Sequence, residues 1–387
     1  MKKNMKKVYG KIITIVLVTT VFFLSTSFLF KEIDIYQQIK TVDKKATKET
    51  KALYQNLKKI KETGILFGHQ DDLAYGVHWK AEKKRSDVKE VCGSYPAVYG
   101  WELAWLGNST HNLDSVSFEK MKRWIRESYK RGGITTLSWH MNNPKTGGSA
   151  WDTTGAIKDI LPNGSKHEFY KKRLDAVAEF ISSLKSRWLF GHSIPVVFRP
   201  FHEHTGGWFW WGKPNNSPED YIALWRFTVE YLRDTKQLHN VLYAYSPDIV
   251  DSKEQYLECY PGDDYVDILG LDDYHDVSAK ERLPDLTKRL RMVVELADEK
   301  DKVAALTETG YERIPQENWW TDMLLKHIKE DPVASRIAWM MVWRNGRTDH
   351  YYAPYEGHSS ADNFIKFKED PVTIFEDDLP KMYRLKE

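Results

Sequence analysis

The chain past residue 60 alternates between short, nearly continuous apolar runs and longer segments whose apolar residues have helical spacing. Continuous apolarity over about four to eight residues is typical of strands that are buried on both faces of a parallel sheet. Most of these runs turn polar at their carboxyl ends. We predict eight strands: "GILFGHQ" (64–70), "AVYGWEL" (97–103), "ITTLSWHM" (134–141), "PVVFRPFHE" (195–203), "VLYAYSP" (241–247), "VDILGLDDYH" (266–275), "VAALTETG" (303–310) and "IAWMMVWRN" (337–345).

The segments between these runs are predicted to be helices. Ser165 and Glu168 form a capping-box pattern before one of them, and Ser217 followed by Pro218 begins another. Eight strand-then-helix units favour an α/β fold, a single (β/α)8 TIM barrel with long βα loops. The alternative is a doubly wound open sheet, but no glycine-rich phosphate loop follows the first strand.

The N-terminus has the pattern of a bacterial-type export signal. Five Lys precede an uncharged, largely apolar run from Ile12 to Phe30. This run is long enough for an uncleaved membrane anchor as well as for a cleaved signal, and both stay open. We therefore expect an exported protein: periplasmic, at the cell surface or secreted. Residues 31–60 are predicted to be a polar helical lead-in, and residues 61–387 the (β/α)8 domain.

The charge of the chain is unevenly distributed. Residues 1–60 contain thirteen Lys and only four acidic residues, so the formal charge of +2 leaves a net charge of about −7 on the remainder. This mildly acidic body has no basic stripe, zinc spacing or Arg-rich arm, which argues against a nucleic acid partner. The two cysteines, Cys92 and Cys259, do not form a disulfide framework, and we predict that both are free. We expect a monomer.

The segment "RPFHEHTGGWFWWG" (199–212) combines charged and aromatic residues in an unusual way. A buried core disfavours so many charged groups because burying a charge without a partner is costly. A solvated loop disfavours four consecutive aromatic residues. A concave site for a polar ligand with apolar faces suits both, and sugars are such ligands. The chain also contains 15 Trp and 21 Tyr, whose rings can stack on sugar faces.

Two glutamates stand at the ends of predicted strands. Glu203 ends the fourth strand and Glu308 ends the seventh, so in a barrel they face each other across the carboxyl-end rim. Two opposed carboxylic acids are the arrangement that glycoside hydrolysis requires. One must be protonated and the other ionised, so their surroundings must separate their pKa values. We therefore predict a glycoside hydrolase with Glu203 and Glu308 as the catalytic pair.

Several polar residues near this pair have competing interpretations. The "HEH" at 202–204 is not the zinc motif H-E-x-x-H, because the second His would stand at Gly206 and the segment is predicted as strand. We predict no metal and no cofactor. Arg199 is predicted to hold a carboxylate bidentately. Glu102 stays open between site and scaffold, and Asp272 and Asp273 are predicted to position Tyr274 or Arg344.

At these residues the sequence resembles the retaining β-mannanases of glycoside hydrolase family 26. "RPFHEHTGGWFWWG" is similar to the acid/base segment of that family, and "ALTETG" to its nucleophile strand. The resemblance covers roughly residues 60 to 380, and "LFGHQDD", "SWHMNNP", "LGLDDYH" and "MVWRN" occupy the remaining rim positions in the expected order.

The resemblance implies a role for each matching residue. Glu203 would be the general acid/base and Glu308 the nucleophile. His202 would orient the carboxylates or the sugar. Further substrate contacts would come from His140, Trp151, Trp208, Asp272, Tyr274 and Arg344.

The implied reaction is the cleavage of β-1,4-mannosidic bonds in mannan, galactomannan or glucomannan by double displacement, with a polysaccharide as the only partner. Four alternatives stay open at this stage: a related β-glucanase, a β-xylanase, a transglycosylase, or a catalytically inactive glycan-binding barrel.

Overall fold

The computed structural model describes residues 35–187 and 191–385. Contacts divide the chain into two units, Met1–Lys40 and Thr41–Glu387, and the second contains every element described below. The predicted export signal at residues 1–30 lies outside the described residues. Within the part that is described, no helix has both the length and the apolar character needed to cross a bilayer.

Eight parallel strands close into a barrel, as predicted. Each of the eight predicted runs contains one barrel strand, and the first strand pairs with the last, from Leu66 against Trp339 to His69 against Val342. The strands are β1 (Ile65–Gln70), β2 (Tyr75–Gly76), β3 (Trp79–Lys80), β4 (Val98–Glu102), β5 (Ile134–Trp139), β6 (Val196–Pro200), β7 (Val241–Tyr245), β8 (Ile268–Asp273), β9 (Val303–Thr309), β10 (Trp339–Val342) and β11 (Thr373–Ile374). Of these, β2 and β3 form a separate antiparallel hairpin, and β11 pairs only with the first residues of β1.

Helices connect the barrel strands. They are α1 (Lys48–Ile60), α2 (Asp87–Cys92), α3 (Phe118–Arg131), α4 (Ile157–Ile160), α5 (His167–Ser182), α6 (Pro218–Glu230), α7 (Lys253–Leu257), α8 (Leu283–Glu299), α9 (Lys326–Lys329) and α10 (Ala361–Glu369). Two π-helical segments, Tyr231–Thr235 and Trp319–Leu325, continue α6 and precede α9. Short 3₁₀ turns lie at Lys213–Asn215, Asp263–Tyr265, Asp276–Ser278, Lys280–Arg282, Ala334–Arg336 and Glu376–Asp378.

One predicted helix start is confirmed and the other is wrong. Ser217 caps α6 by accepting a hydrogen bond from the Asp220 N–H, with Pro218 in the first turn. Ser165 does not cap α5, which begins at His167. Its hydroxyl donates to the Asp159 carboxylate, and the following backbone N–H donates to the Asp159 carbonyl. The Ser165 hydroxyl and the Lys166 N–H are therefore already bonded to Asp159 in the turn after α4 and do not cap α5.

The barrel strands are buried on both faces, which explains their continuous apolarity. Inside the barrel the packing is close enough to require glycine at residue 68, where a Cβ would lie 2.9 Å from Met341 Cγ. Outside, the ring of Phe67 packs against Trp320, Phe364 and Phe367. Polar side chains that follow the strands are thereby left at the carboxyl-end rim.

The compact unit begins before residue 61, where the sequence analysis places the start of the barrel domain. Helix α1 buries Leu53, Tyr54 and Leu57, and the Val42 N–H donates to Asp267 Oδ1 over 2.8 Å. The polar appearance of residues 41–60 arises from the exposed face of α1, while its other face belongs to the core.

Candidate active site

Glu308 lies near the end of β9, in register with Asp272 on β8, and is almost completely buried. The Tyr274 hydroxyl donates to its Oε2 over 2.9 Å. Arg199, on β6, forms an ion pair with Oε1 of Glu308 and another, at 2.7 Å, with Asp272 Oδ2. The expectation that Arg199 binds one carboxylate bidentately is therefore wrong. Its guanidinium lies between two carboxylates and forms an ion pair with each of them.

Glu203 does not lie on a strand, in contrast to the prediction. Strand β6 ends at Pro200, and the chain then turns sharply, with φ values of 50° at Phe201 and 52° at Glu203. The Glu203 N–H donates to the Ser246 carbonyl after β7, which holds this left-handed backbone. The turn, rather than the alternation of a strand, determines where the carboxylate points.

Glu203 and Glu308 nevertheless meet. Carboxylate oxygens of Glu203, Asp272 and Glu308 all lie within 4.8 Å of one another. A separation of about 5–5.5 Å between the two carboxyl groups is characteristic of retaining glycosidases, and inverting enzymes need about 6.5–9.5 Å. Among the described residues these three carboxylates are the group close enough to hold a cation, but the Arg199 guanidinium already bonds two of them.

The surroundings of Glu203 favour its protonated form. Burial raises the pKa of Glu203 well above its usual value, and the nearby charges of Glu308 and Asp272 raise it further. A hydrogen bond from the Trp208 indole N–H to Glu203 Oε2, at 2.7 Å, works in the opposite direction. Glu308, by contrast, is held by a guanidinium and a phenol hydroxyl. The two glutamates are thus in the unlike environments that acid and nucleophile require.

A buried histidine pair lies beside the carboxylates. His140 Nδ1 is 2.7 Å from Glu102 Oε2, and its Nε2 is 3.2 Å from His202 Nε2. Burial opposes protonation of His140, but the Glu102 carboxylate, with smaller contributions from the charges of Glu308 and Asp114, outweighs it and raises the pKa of His140. Burial, Arg199 and His140 together lower the pKa of His202 well below its usual value. Glu102, which the sequence left open, therefore orients His140, which in turn contacts His202.

A cavity of about 390 Å³ lies against Glu203 and Glu308. Of the other residues predicted for the site, the following line it: His140, Trp151, His202, Trp208 and Tyr274. Two predicted site residues are not in its wall. Asp272 lies behind Arg199, and the half-buried Arg344 contacts Asp114 at 3.1 Å and Tyr75 at 3.4 Å. The expectation that Asp272 positions Tyr274 or Arg344 is wrong, because the described contacts of its carboxylate are with Arg199, Ser246 and Thr307.

Trp151 and Trp208 give the cavity its apolar surfaces. The Trp151 ring stacks on His140, with 5.1 Å between centroids and 12° between planes. Both tryptophans remain substantially exposed, at 50% and 39%. Exposed indoles beside paired carboxylates are suited to sugar rings, whose C–H faces stack on aromatic side chains.

The sequence analysis missed several residues of the cavity wall. They are Phe209, Ser278, Gly310, Tyr311, Glu312, Trp343, His350 and Tyr352. Phe209 lies within "RPFHEHTGGWFWWG" and Trp343 within "MVWRN", two segments that the sequence analysis assigns to the site, so their positions could be inferred from neighbouring residues. His350 and Tyr352 come from the long loop after β10, which carries no chemical motif, and only the fold brings them to the site.

A (β/α)8 barrel with two close carboxylates of unlike environment, in a cavity walled by tryptophans, has the features of a glycoside hydrolase. The chain belongs to glycosyl hydrolase family 26, whose family model matches residues 42–370. The family assigned by resemblance from the sequence is thereby confirmed.

Relatives of known activity agree with this assignment. The chain is 35% identical over 380 residues to a mannan endo-1,4-β-mannosidase of Bifidobacterium adolescentis, and the match covers 92% of this chain but 37% of that longer protein. It is 29% identical to a Bacillus subtilis enzyme of the same name, over 66% of this chain and 71% of that one. Its fold matches a GH26 β-mannanase from Bacteroides ovatus with a TM-score of 0.84 and 48% identity, covering 88% of this chain and 98% of the other.

Proposed function

We propose that this protein is a retaining endo-β-1,4-mannanase that cleaves mannan, galactomannan or glucomannan. The observation that carries the proposal is the approach of Glu203 and Glu308 oxygens to within 4.8 Å. Carboxylates this close favour the retaining arrangement, in which one carboxylate attacks the sugar directly, over the wider inverting one, which holds a water molecule between carboxylate and sugar. The mannan substrate is inferred from the relatives, which are mannan endo-1,4-β-mannosidases.

In the proposed first step, a Glu308 oxygen attacks the anomeric carbon while the bond from that carbon to the leaving oxygen breaks. Glu203 gives its proton to the leaving oxygen. The hydrogen bond from Tyr274 and the ion pair with Arg199 fix the Glu308 carboxylate for this attack. In the second step Glu203, now ionised, takes a proton from water, the water oxygen attacks the same carbon, and Glu308 is released. One water molecule is consumed and the configuration is retained.

The two steps require opposite protonation states of Glu203. While Glu308 is ionised, its charge adds to burial in raising the pKa of Glu203, so the acid holds its proton. Once Glu308 is esterified to the sugar, that charge is gone and the pKa of Glu203 falls. The closeness of the two carboxylates thus converts Glu203 from acid to base at the required moment.

A panel of soluble galactomannan, mixed-linkage β-glucan and xylan tests the substrate class. We expect reducing sugar to be released fastest from galactomannan. Faster release from β-glucan or xylan would instead indicate a related glucanase or xylanase. Retention on immobilised mannan without release would identify a binding protein, and products longer than the supplied oligosaccharide would identify a transglycosylase.

Proton NMR of β-1,4-mannohexaose during cleavage tests the mechanism. We expect the new reducing ends to appear first in the β configuration and then to mutarotate. Initial appearance of the α configuration would overturn the retaining mechanism.

The product profile from a linear mannan tests the endo assignment: a spread of intermediate lengths early in the reaction supports it, whereas one short product throughout would indicate attack from chain ends.

We further propose that the protein is exported by its N-terminal segment and acts as a monomer. The support for export is the sequence pattern, five Lys before the apolar run from Ile12 to Phe30. Cell fractionation with intact-mass measurement distinguishes a cleaved signal from an uncleaved anchor. A cleaved signal gives a shortened protein in the medium or periplasm, whereas an anchor gives the full chain in the membrane. Full-length protein in the cytoplasm would overturn export, and light scattering checks the monomer.

A further inference from the structure

A second polar pair lies in the wall of the same cavity. His350, in the loop after β10, and Glu312, in the loop after β9, both line the cavity that contains Glu308. His350 Nδ1 is 2.6 Å from Glu312 Oε1. The pair therefore joins two separate loops at the point where they line the cavity.

The backbone holds His350 in a fixed position. A tight turn closes around it, in which the N–H groups of Gly346 and Arg347 both donate to the His350 carbonyl. Its ring packs edge-on against Tyr352, with centroids 5.4 Å apart, and Tyr352 in turn packs against Tyr274, which donates to Glu308. The pair is thus connected to the proposed nucleophile through the packed rings of Tyr352 and Tyr274.

The surroundings of His350, burial first among them, favour its neutral form. Burial lowers the pKa of His350; the hydrogen bond to Glu312 opposes this effect, and the charge of Arg344 adds to it. Arg347 lowers the pKa slightly further, and its own ion pair with Asp349 points away on the exposed turn. A neutral His350 that donates Nδ1–H to Glu312 keeps an unprotonated Nε2, an acceptor. Within the described part of the chain, Nε2 has no hydrogen-bond partner.

We propose that His350 and Glu312 form a sugar-binding pair, in which His350 Nε2 and the free oxygen of Glu312 accept hydrogen bonds from hydroxyl groups of a backbone sugar in the cavity. The inference rests on the proposed function, because it supposes a polysaccharide in that cavity. The pair binds substrate and takes no part in proton transfer, so its loss raises KM and leaves kcat nearly unchanged. A sugar offers several hydroxyl donors, and two adjacent acceptors on the cavity wall match them.

Two substitutions of His350 separate sugar binding from a purely structural link between loops. In His350→Asn, the amide nitrogen can replace Nδ1 and keep the bond to Glu312, but nothing stands at the position of Nε2. In His350→Gln, the longer side chain carries a polar group to the Nε2 position and gives up the bond at Nδ1. If the pair binds sugar, we expect KM for mannohexaose to rise about tenfold in His350→Asn and less in His350→Gln. The opposite order would show that the pair only joins the loops.

Glu312→Gln gives an independent measurement, and Glu356→Gln is its matched control. Glu356 is exposed in the loop after β10, the loop that carries His350, and does not line the cavity. We expect a severalfold rise in KM for Glu312→Gln and none for Glu356→Gln. Equal KM values in both variants would overturn the proposal.

The binding of mannohexaose is also measured in a variant that cannot cleave it. Failure of this inference is then distinguishable from failure of the proposed function. Calorimetry of mannohexaose binding uses Glu308→Ala as the background, with and without His350→Asn. A weaker Kd on adding His350→Asn supports the pair, and an unchanged Kd overturns it. Whether the wild-type chain hydrolyses mannan is decided separately by the substrate panel.

Discussion

Glu203 shows how one residue depends on an unfavourable backbone conformation. Its φ of 52° lies in the left-handed region, as does the φ of 50° at Phe201 two residues earlier. Each such non-glycine residue costs about 1–3 kcal/mol and persists only where the surroundings hold it. Here the bond to the Ser246 carbonyl and the indole of Trp208 hold it. This strained turn holds the Glu203 carboxylate at the rim beside Glu308.

Glu308 is the proposed nucleophile, and its removal should abolish most of the turnover. Glu308→Ala removes the group that would form the covalent intermediate, so we expect kcat on galactomannan to fall by at least about a thousandfold. Reducing-sugar release at saturating substrate checks this. Glu312→Gln, a change to another glutamate of the same cavity, is the comparison and should keep most of kcat. Near-normal kcat in Glu308→Ala would rule out its assignment as nucleophile.

The protonation of Glu203 should make kcat/KM depend on pH. Burial and the Glu308 charge raise the pKa of Glu203, so the proton donor is present below that raised pKa and is lost as the pH rises through it. We therefore expect kcat/KM of the wild type to fall on the alkaline side of a bell-shaped profile. In Glu203→Ala the activity should drop sharply and this alkaline limb should disappear.

The measurement is kcat/KM against pH for both proteins with an aryl β-mannoside. Its leaving group needs little protonation, so residual activity of Glu203→Ala can be followed. An alkaline limb that survives in Glu203→Ala with an unchanged midpoint would show that another group donates the proton.

The loop after β5 is the element that presents Trp151 to the cavity, and Asn143 organises it. The buried Asn143 side chain donates to the Asp152 and Thr154 carbonyls at 3.1 and 2.8 Å, and accepts from the Lys145 and Thr146 N–H groups. One side chain thereby fixes both ends of the loop segment that contains Trp151. Asn143 stands inside the segment "SWHMNNP", but nothing in that segment indicates this role.

We predict that Asn143→Ala weakens substrate binding by loosening this loop. Carbonyl and N–H groups that lose their partner cost about 1–3 kcal/mol, so the loop should open more often and Trp151 should lose its stacking on His140. We expect KM to rise severalfold, kcat to change less, and trypsin to cut faster after Lys145. Asn108→Ala, on another rim loop, is the control. Unchanged KM and unchanged cleavage would contradict the assignment.

The elements themselves were predicted more reliably than their ends. All eight barrel strands fall within the predicted runs because burial on both faces leaves a local, continuous apolar signal. The predicted end of the fourth strand, at Glu203, is three residues too late, since β6 stops at Pro200. The predicted cap at Ser165 is wrong because Asp159, only six residues earlier, takes the hydroxyl that the capping-box pattern assigned to the helix.

For the whole molecule, the compact unit starts at Thr41 rather than at residue 61. Helix α1 contributes Leu53, Tyr54 and Leu57 to the core, and Val42 is tied to Asp267. Fully burying a large apolar side chain contributes about 1.5–3 kcal/mol, and the total stability of a domain is only about 5–15 kcal/mol. Loss of α1 would therefore remove a large part of the free energy of unfolding.

Two truncations test this statement. We expect residues 41–387 to fold and to keep the catalytic activity of the full chain. We expect residues 61–387 to be insoluble, or to unfold at a temperature lower by ten degrees or more, on the order of what losing several kcal/mol implies. Thermal unfolding and galactomannan hydrolysis are the measurements. Equal stability of the two truncations would show that α1 is dispensable.

The sequence by itself determined the barrel, the two glutamates and the family. Apolar runs, polar residues at their carboxyl ends and the order of short motifs are local properties, and the fold translates them directly into positions on one rim. That Glu203 and Glu308 meet at this rim followed from that rule, whereas the places of His140, Trp208 and Tyr274 in the same site came from the family resemblance.

The tertiary structure alone decided how those neighbours interact. That Arg199 bridges Asp272 and Glu308, and that His350 meets Glu312, depends on distances between segments far apart in the chain. Hydrogen bonds and charge interactions act only over a few ångströms, and the sequence does not encode which loops approach that closely. The protonation states on which the proposed chemistry depends arise from those contacts.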